Sequence, residues 1–309
     1  MMDPRGIIRL LERNGYRAVI LPFSRVKEAK AEMKGLLASG LLDKEFFGEC
    51  LSSYLKAKTP KTMPRPKSVL IVSSRGLQST VKFELDGKEY DFVVPPTYAD
   101  GDITDKMIRG VLKEAQDKDK FRLVRAFPPL KLMAVRGGLA MYGRNNITFV
   151  PGYGSFQRLT GYYSDLEAHD DGWGEKKALP KCAKCRACIT ACPTCAISED
   201  RFLLRAERCI AFMNERSNDH PFPSWVKPDW HNSIVGCMIC QRACPYNREQ
   251  MLRVEEGERF SESETKLLLS GHLSGKNTAV VRAKLKRAGL DASTFPRNLE
   301  VLLRRARAP

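Results

Sequence analysis

Nine of the ten cysteines lie in one short part of the chain, between residues 182 and 244. A first run has the form C-x2-C-x2-C-x3-C-P and a second has the form C-x2-C-x3-C-P. These runs comprise Cys182, Cys185, Cys188 and Cys192, and then Cys237, Cys240 and Cys244. Two-residue gaps let one tight loop direct three thiolates toward a common centre, while a fourth points away on the following helical turn. We therefore expect a metal centre bound by these cysteines to organise this segment.

The first run is typical of proteins in which three cysteines bind one [4Fe–4S] cluster and the fourth binds a second cluster. Thiolates suit iron because they are soft, anionic ligands. The second run lacks one cysteine, which Cys209, between the runs, can supply. This gives eight cysteine ligands, the number that two cubane-type [4Fe–4S] clusters require. Crossed ligation assigns cluster A to Cys182, Cys185, Cys188 and Cys244, and cluster B to Cys192, Cys209, Cys237 and Cys240.

Structural zinc is the main alternative, because the two C-x2-C pairs that begin the runs could form one four-thiolate site. Zinc would leave the other four ligand cysteines and both Cys-Pro steps unexplained, and the four histidines form no close pair. We therefore favour iron–sulfur clusters. Cys195 is expected to be a small buried residue beside a cluster, and Cys50 a core thiol.

Length and composition limit the class of protein. A chain of 309 residues favours two or three domains. The hydrophobic share of 43% and charged share of 28% fit a folded protein and exclude a mainly disordered one. The longest apolar runs, such as 18–23 and 68–72, fall far short of the ~20 residues of a spanning helix, so we expect no membrane association. The N-terminus lacks an apolar signal segment, which predicts a cytoplasmic protein.

The chain divides into three expected segments: residues 1–175 with mixed helix and strand signals, the cysteine segment 176–250, and a basic helical region 251–309. Residues 17–22, 68–73 and 147–150 are predicted strands, and 81–85 and 90–94 form a predicted hairpin around Asp86-Gly87. Helices are predicted over 7–11, 26–37, 104–115, 133–142, 264–269, 280–288 and 298–308. Intermingled helices and hairpins predict the α+β class.

A Gly-rich block precedes the cysteines and comprises Ala134–Asn146, Gly152–Ser155 and Gly161–Asp165. Together with the cysteine order, this block resembles the epoxyqueuosine reductases, and Ser261–Glu264 with the basic helices after it is similar to that family's tail. The resemblance runs from about residue 68 onward. It implies a nitroreductase-like domain that binds cobalamin, with a ferredoxin-like domain whose two clusters reduce the cobalt. The related reductive dehalogenases share this layout.

The resemblance also implies a cofactor-binding role for part of the block. These residues are Gly137, Gly138, Leu139, Tyr142, Gly143, Arg144, Asn145, Gly152, Gly154 and Ser155. A corrin is broad and flat, so the backbone has to approach it closely, which glycine permits; ordinary turn glycines are the alternative. Asp229 and His231 begin a cobalamin-ligand motif, but Ile234 stands where the motif requires glycine. We therefore expect base-off cobalamin with no lower ligand from the protein.

The chain departs from the family where the substrate would bind. The stretch Tyr98–Asp102 resembles one that opens a helix over the active site, but Ile103-Thr104 replace its final Tyr-His. In the family, a catalytic aspartate lies before the Gly-rich block. The corresponding residues of this chain, 123–128, contain no carboxylate. A general acid has to reach the substrate with a suitable pKa. The candidate replacements are Tyr98, Tyr142, Tyr162 and Tyr163, each of which is also explicable as a packing residue.

The net charge of +16 is concentrated in residues 56–67 and in the tail from Lys276 onward. Such surfaces bind phosphate backbones through counterion release, which would suit tRNA. They also dock acidic electron donors such as ferredoxin or flavodoxin, and a solvated helix face is a third interpretation. The sequence thus predicts a cobalamin-dependent reductase that acts on epoxyqueuosine in tRNA, a small molecule or a halide. A flavin-linked reductase and a non-catalytic electron-transfer protein remain alternatives, given the missing aspartate.

Overall fold

The computed structural model describes residues 3–98, 101–275 and 278–307. Its elements up to residue 126 are α1 (Pro4–Arg13), β1 (Arg17–Pro22), α2 (Arg25–Ala38), α3 (Lys44–Phe46), α4 (Ser52–Lys56), β2 (Ser68–Arg75), β3 (Gln78–Leu85), β4 (Lys88–Val94), α5 (Gly101–Asp119) and β5 (Leu123–Ala126). The later ones are α6 (Leu130–Arg136), β6 (Met141–Tyr142), β7 (Thr148–Phe149), β8 (Gln157–Ser164), α7 (Ala187–Ala191), α8 (Ile210–Glu215), α9 (Ile239–Arg242), α10 (Arg248–Met251), β9 (Val254–Phe260), α11 (Glu262–Ser270), α12 (Ala279–Arg287) and α13 (Arg297–Arg307).

The chain forms two compact units. The first comprises Met1–Arg75, Asp102–Cys185 and Arg201–Leu204, and the second comprises Gly76–Gly101, Arg186–Asp200 and Arg205–Pro309. This division by compactness differs from the three segments expected from the sequence. Compactness does not test which segment binds which cofactor, so the functional division stays a prediction.

The first unit is a sheet with helices on both faces. Its strands run antiparallel in the order β1-β2-β8-β5. Successive side chains of β2 alternate between faces, as the pleat requires: Val69 and Ile71 join one core, and Leu70 and Val72 join the other. Helices α2 and α6 contribute to the first core, and α1 and α5 to the second. The predicted mixture of helix and strand is therefore confirmed.

The second unit contains the hairpin predicted around Asp86-Gly87. Both turn residues have positive φ (53° and 69°), the conformation that such a dipeptide favours. Strand β3 also pairs in parallel with β9, and their side chains Phe83 and Phe260 stack with ring centroids 5.0 Å apart. Helices α11, α12 and α13 contribute side chains to the same core.

The Ser261–Glu264 stretch has a plain structural role at the start of α11. The Ser261 hydroxyl accepts a hydrogen bond from the Glu264 N–H (3.4 Å), and the Glu264 carboxylate accepts one from the Ser261 N–H (2.9 Å). This reciprocal capping box satisfies two backbone donors that the helix itself leaves unpaired. The sequence pattern therefore marks a helix start, independent of any function of the tail.

Two expectations about secondary structure were wrong. The helix predicted over 133–142 ends at Arg136, because Gly138 has φ +75° and turns the chain into β6. The region after residue 251 is not wholly helical, since β9 lies in it and pairs with a strand far earlier in the chain. Within the described residues, no helix has the length and apolar character needed to cross a membrane.

Candidate iron–sulfur site

Two short helices of the second unit carry cluster cysteines in equivalent places. Cys188 lies on α7, which ends before Cys192-Pro193; Cys240 lies on α9, which ends before Cys244-Pro245. Proline lacks the N–H that would continue a helix, so each Cys-Pro step stops its helix. The two helices pack against each other. The repeated motif is thus a repeated local structure.

The four thiols assigned to cluster B lie in the second unit and interact with one another. Burial, together with the neighbouring thiols of Cys237 and Cys192, raises the pKa of Cys209 to about 12. Burial and the thiols of Cys237, Cys209, Cys188 and Cys192 raise the pKa of Cys240 well above its usual value. The pKa of Cys237 is also raised, chiefly by burial. The thiols of Cys209, Cys237 and Cys240 therefore stay protonated at neutral pH, so binding iron there would release protons.

Hydrogen-bond donors surround these sulfurs. The Cys209 sulfur accepts from the backbone N–H groups of Ala211 and Phe212. The Cys237 sulfur accepts from the Ile239 N–H and from the side chain of Asn232, whose Nδ2 lies 3.2 Å away. Buried thiols with N–H donors directed at them fit a [4Fe–4S] cluster, whose sulfurs accept such bonds.

A single metal ion has a different requirement. Among the residues that the structure describes, no three His, Cys, Asp or Glu side chains are arranged to hold one metal ion. A cubane contains four irons, each bound by one thiolate, so its ligands need not converge on one point.

The cysteines assigned to cluster A are divided between the units. Cys182 and Cys185 fall in the first unit, and Cys188 and Cys244 in the second. Within the first unit, the Arg144 guanidinium fixes the loop of Cys182, because its Nη2 donates to the carbonyl oxygens of Cys182 (3.0 Å) and Ala183 (3.3 Å). The ligand assignment of both clusters stays a prediction.

The two cysteines without an assigned cluster differ from expectation. Cys195 is exposed rather than buried, and it adopts φ +52° as its N–H bonds to the Cys192 carbonyl (3.2 Å). Its position closes the turn after the Cys-Pro step. Cys50 is half-buried, in the π-helical turn Phe47–Leu51.

Buried amides, which no sequence pattern marks, brace the loops of cluster B. Asn214, at the end of α8, donates to the Gly236 carbonyl (2.8 Å), and its Oδ1 lies 3.1 Å from Nδ1 of His231. Asn298 on α13 donates to the carbonyls of Asn214 (2.8 Å) and Ile234 (3.0 Å). These bonds connect the segment after Cys209 to the segment before Cys237.

Charged groups reinforce the same region. Arg297 donates from Nη2 to the carbonyls of Met213 and Arg216, both at 2.8 Å. Burial, with the nearby charge of Arg216, lowers the pKa of Arg297 to about 10. Burial, with the charges of Arg297 and Arg305, lowers the pKa of His231 to about 4, so this histidine is neutral in the folded protein.

The glycines assigned to cofactor binding have two kinds of surroundings. A Cβ on Gly137 would lie 3.1 Å from Leu21, and one on Gly143 would collide with the Phe149 ring, so protein packing explains both. Gly138 (φ +75°) and Gly152 (φ +81°) occupy turns, and nothing lies within 4 Å of an added Cβ at either position. Space for a flat ligand beside the Cα atom is therefore present at both positions, and to that extent the block fits a corrin. Gly154 has φ +59°.

The other residues of the block are mostly held within the fold. Asn145 is buried and accepts a hydrogen bond from the Ile147 N–H (3.3 Å), and Ser155 is fully buried. Leu139 is half-buried against the core of the first unit. These contacts position the turns of the block and do not test a cofactor role.

The four candidate tyrosines belong to three different hydrophobic cores: Tyr98 packs against one, Tyr142 and Tyr163 share a second, and Tyr162 lies in a third. Tyr98 lies in the second unit and hydrogen-bonds to Glu215, and the other three lie in the first unit. Tyr162 and Tyr163 are neighbours on β8 and face opposite cores. Burial raises the pKa of all four hydroxyls above the ordinary value. A raised pKa makes a hydroxyl a weaker proton donor. The Ala99 and Asp100 of the stretch beginning at Tyr98 lie outside the described residues.

A carboxylate from outside residues 123–128 lies near Tyr162. Asp105 on α5 forms an ion pair with Arg109 (2.9 Å), and Arg109 and Arg125 both lie over the Tyr162 ring. Burial alone would raise the pKa of Asp105, but the nearby Tyr162 hydroxyl and the paired Arg109 guanidinium lower it below its usual value. The side chain is therefore ionised at neutral pH. The (i, i+4) spacing of Asp105 and Arg109 was the available sequence signal.

Four cations of the basic tail form ion pairs with carboxylates of their own unit. Lys284 pairs with Glu264 (2.6 Å), Arg287 with Glu258 (2.6 Å), Arg304 with Glu300 (2.5 Å) and Arg307 with Asp86 (2.7 Å). In the first unit, by contrast, four exposed cations of the proline-broken segment meet no carboxylate among the described residues. These are Lys56, Lys58, Lys61 and Arg65. Lys276 lies outside the described residues.

Comparison with known proteins identifies the cysteine segment. A family model described as a 4Fe-4S double cluster binding domain matches residues 181–247. This range includes all eight predicted ligands. The protein therefore carries a domain for two [4Fe–4S] clusters.

Curated relatives extend the likeness beyond that domain. An epoxyqueuosine reductase of Synechococcus sp. (strain RCC307) is 32% identical over 139 residues, which cover 44% of this chain and 41% of the relative. That of Escherichia coli (strain K12) is 29% identical over 255 residues, 78% of this chain and 64% of the relative. The chain thus spans less than two thirds of the length of these relatives.

Solved structures share the fold. Epoxyqueuosine reductase from Streptococcus thermophilus has a TM-score of 0.59 at 15% identity, covering 99% of this chain and 82% of its own. The Bacillus subtilis enzyme has a TM-score of 0.61 at 17% identity, covering 97% and 81%.

The fold and the cysteine domain together define a class, the double-[4Fe–4S] proteins built on a mixed α/β scaffold. Within this class the chain is similar to epoxyqueuosine reductases, and the resemblance recognised in its sequence is confirmed.

Proposed function

We propose that this chain is an iron–sulfur oxidoreductase that passes electrons through two [4Fe–4S] clusters to a bound cobalamin. The observation that carries the proposal is the group of half-buried cysteines Cys192, Cys209, Cys237 and Cys240 within a double cluster domain. Four neighbouring thiols are what one cubane requires, and one-electron transfer is the chemistry that such clusters perform.

The corrinoid part of the proposal rests on the Gly-rich block. Gly138 and Gly152 are the residues that would lie against the ring, because nothing lies within 4 Å of the place where their Cβ atoms would be. Bound cobalamin would supply a low-potential cobalt centre able to reduce a carbon–oxygen or carbon–halogen bond. The base-off form is supported by His231, because this histidine is buried against Phe222 and engaged by Asn214.

We propose an epoxide as the substrate, either epoxyqueuosine in tRNA or a small molecule, with a halide as the dehalogenase-like variant. The fold of a solved epoxyqueuosine reductase in complex with a modified tRNA stem loop is similar to this one, with a TM-score of 0.59. Residues 123–128 lack the carboxylate that the family resemblance places there, so the proton donor would differ from the family's.

The partners we propose are a ferredoxin or flavodoxin electron donor and tRNA. The cations of segment 56–65, which meet no carboxylate among the described residues, are better suited to a polyanionic partner than the tail, where four cations pair with carboxylates of their own unit. Measuring tRNA affinity over a range of salt concentrations tests the RNA branch. We expect the affinity for tRNA to fall steeply as the salt concentration rises. If tRNA does not bind, or binds with an affinity that does not depend on salt, a small molecule remains as the proposed substrate.

The cobalamin proposal is tested by anaerobic reconstitution with iron, sulfide and cob(II)alamin. We expect about eight irons per chain and an electron paramagnetic resonance (EPR) spectrum of base-off Co(II). A protein with its full iron content and no bound corrinoid would contradict the proposal. Adding flavin in place of cobalamin provides the matched control.

A non-catalytic or flavin-linked electron-transfer protein is the second candidate. The raised pKa values of the four tyrosine hydroxyls and the missing carboxylate favour it. Full clusters, no corrinoid and reversible electron exchange with a donor protein would establish it.

A further inference from the structure

The side chain of Asn232 is held in one orientation beside a cluster ligand. Its Oδ1 accepts a hydrogen bond from the Met238 N–H (2.8 Å). Because a backbone N–H can only donate, this contact fixes which end of the amide is oxygen. The opposite end, Nδ2, donates to the Trp230 carbonyl (3.0 Å) and to the Cys237 sulfur (3.2 Å). Both hydrogens of the amide group are thus used in hydrogen bonds.

The loop that presents Cys237 is equally constrained. Gly236 has φ +63°, its carbonyl accepts from Asn214 (2.8 Å), and a Cβ placed on it would lie 2.6 Å from the Tyr98 ring. The sulfur therefore has little freedom to move away from the Asn232 amide.

A hydrogen bond to a cluster sulfur withdraws electron density from the metal centre. The reduced cluster carries one more electron than the oxidised cluster, so the bond stabilises the reduced state more strongly and raises the reduction potential. We propose that Asn232 is a positioning residue that sets the reduction potential of cluster B through its N–H···S bond to Cys237. The inference rests on the cluster assignment of the proposed function and is independent of cobalamin and of the substrate.

The test is an anaerobic, EPR-monitored redox titration of the reconstituted full chain. Asn232→Asp keeps an oxygen for the Met238 N–H but removes the donor to sulfur and adds a negative charge. Asn232→Leu removes the donor without adding charge. We expect one of the two one-electron steps to move to more negative potential in both variants, further in Asn232→Asp, while the other step moves less.

The matched control is Asn14→Asp, which makes the same chemical change at an exposed residue of the first unit. We expect its two potentials to equal those of the wild type. Unchanged potentials in both Asn232 variants with full iron content would overturn the proposal.

If the variants lose iron, wild-type protein labelled with ¹⁵N-asparagine tests whether Asn232 donates a hydrogen bond to the cluster sulfur. Pulsed EPR of the reduced cluster should show a ¹⁵N coupling with an exchangeable proton, and its absence would overturn the proposal. Failure to bind cobalamin with both potentials measurable would refute the corrinoid proposal alone. Failure to bind iron at all would refute the cluster assignment on which both depend.

Discussion

Replacing Asn298 with alanine should destabilise the second unit strongly for a single polar substitution. Asn298 is 1% exposed and makes four hydrogen bonds. It donates to the carbonyls of Asn214 and Ile234, and its Oδ1 accepts from Nε (3.1 Å) and Nη2 (3.0 Å) of Arg297. Alanine would leave two buried carbonyls without this donor. At about 1–3 kcal/mol for each unsatisfied buried group, the expected loss is about 3 kcal/mol.

Anaerobic urea unfolding followed by circular dichroism measures this loss. For a urea m-value of about 3 kcal/mol/M, the midpoint should fall by about 1 M. Asn14→Ala is the control, because Asn14 is exposed and donates one bond to Leu10 within its own helix end. We expect the control to change the unfolding free energy by less than about 0.5 kcal/mol. Equal midpoints for Asn298→Ala and the control would refute the bracing role of the buried amides.

Three further outcomes follow from the same region. Cys209→Ser should retain about four of about eight irons, whereas Cys195→Ser at the exposed turn should retain all of them; equal iron content would contradict cluster B. His231 has a folded pKa of about 4, below its unfolded value, so the unfolded state binds its proton first as pH falls. Stability should therefore drop by about 2 kcal/mol between about pH 7 and pH 5, and the slope should flatten in His231→Gln; an unchanged slope would refute a buried neutral histidine. Gly236→Ala should cost about 2–4 kcal/mol from its positive φ and the Tyr98 overlap, whereas Gly15→Ala, with φ +80° and open space, should cost about 1–2; similar losses would count against the overlap.

The sequence predicted elements that local patterns define. The alternation of 81–94 around Asp86-Gly87 corresponds to the hairpin of β3 and β4, and the buried run at 68–73 corresponds to β2. The cysteine spacing predicted the double cluster domain because ligand reach is itself a local property.

Elements that depend on distant partners were missed. Strand β9 is rich in charged residues, and its pairing with β3 joins parts of the chain more than 170 residues apart. In β8, Gly161 weakens the strand pattern, yet a Cβ there would lie 2.6 Å from the Leu130 side chain, so packing requires glycine. Asn214, Asn232 and Asn298 look like ordinary polar residues until the fold supplies the carbonyls and the sulfur that they bond.

Reduction of bound cobalamin through the clusters is the most direct test of the account. The measurement is the EPR signal of base-off Co(II) in reconstituted wild type and in Cys209→Ser, each mixed anaerobically with reduced flavodoxin. The account predicts that the Co(II) signal disappears in the wild type and persists in the variant, which lacks a cluster B ligand. Equal loss of the signal in both proteins would contradict an electron path through cluster B.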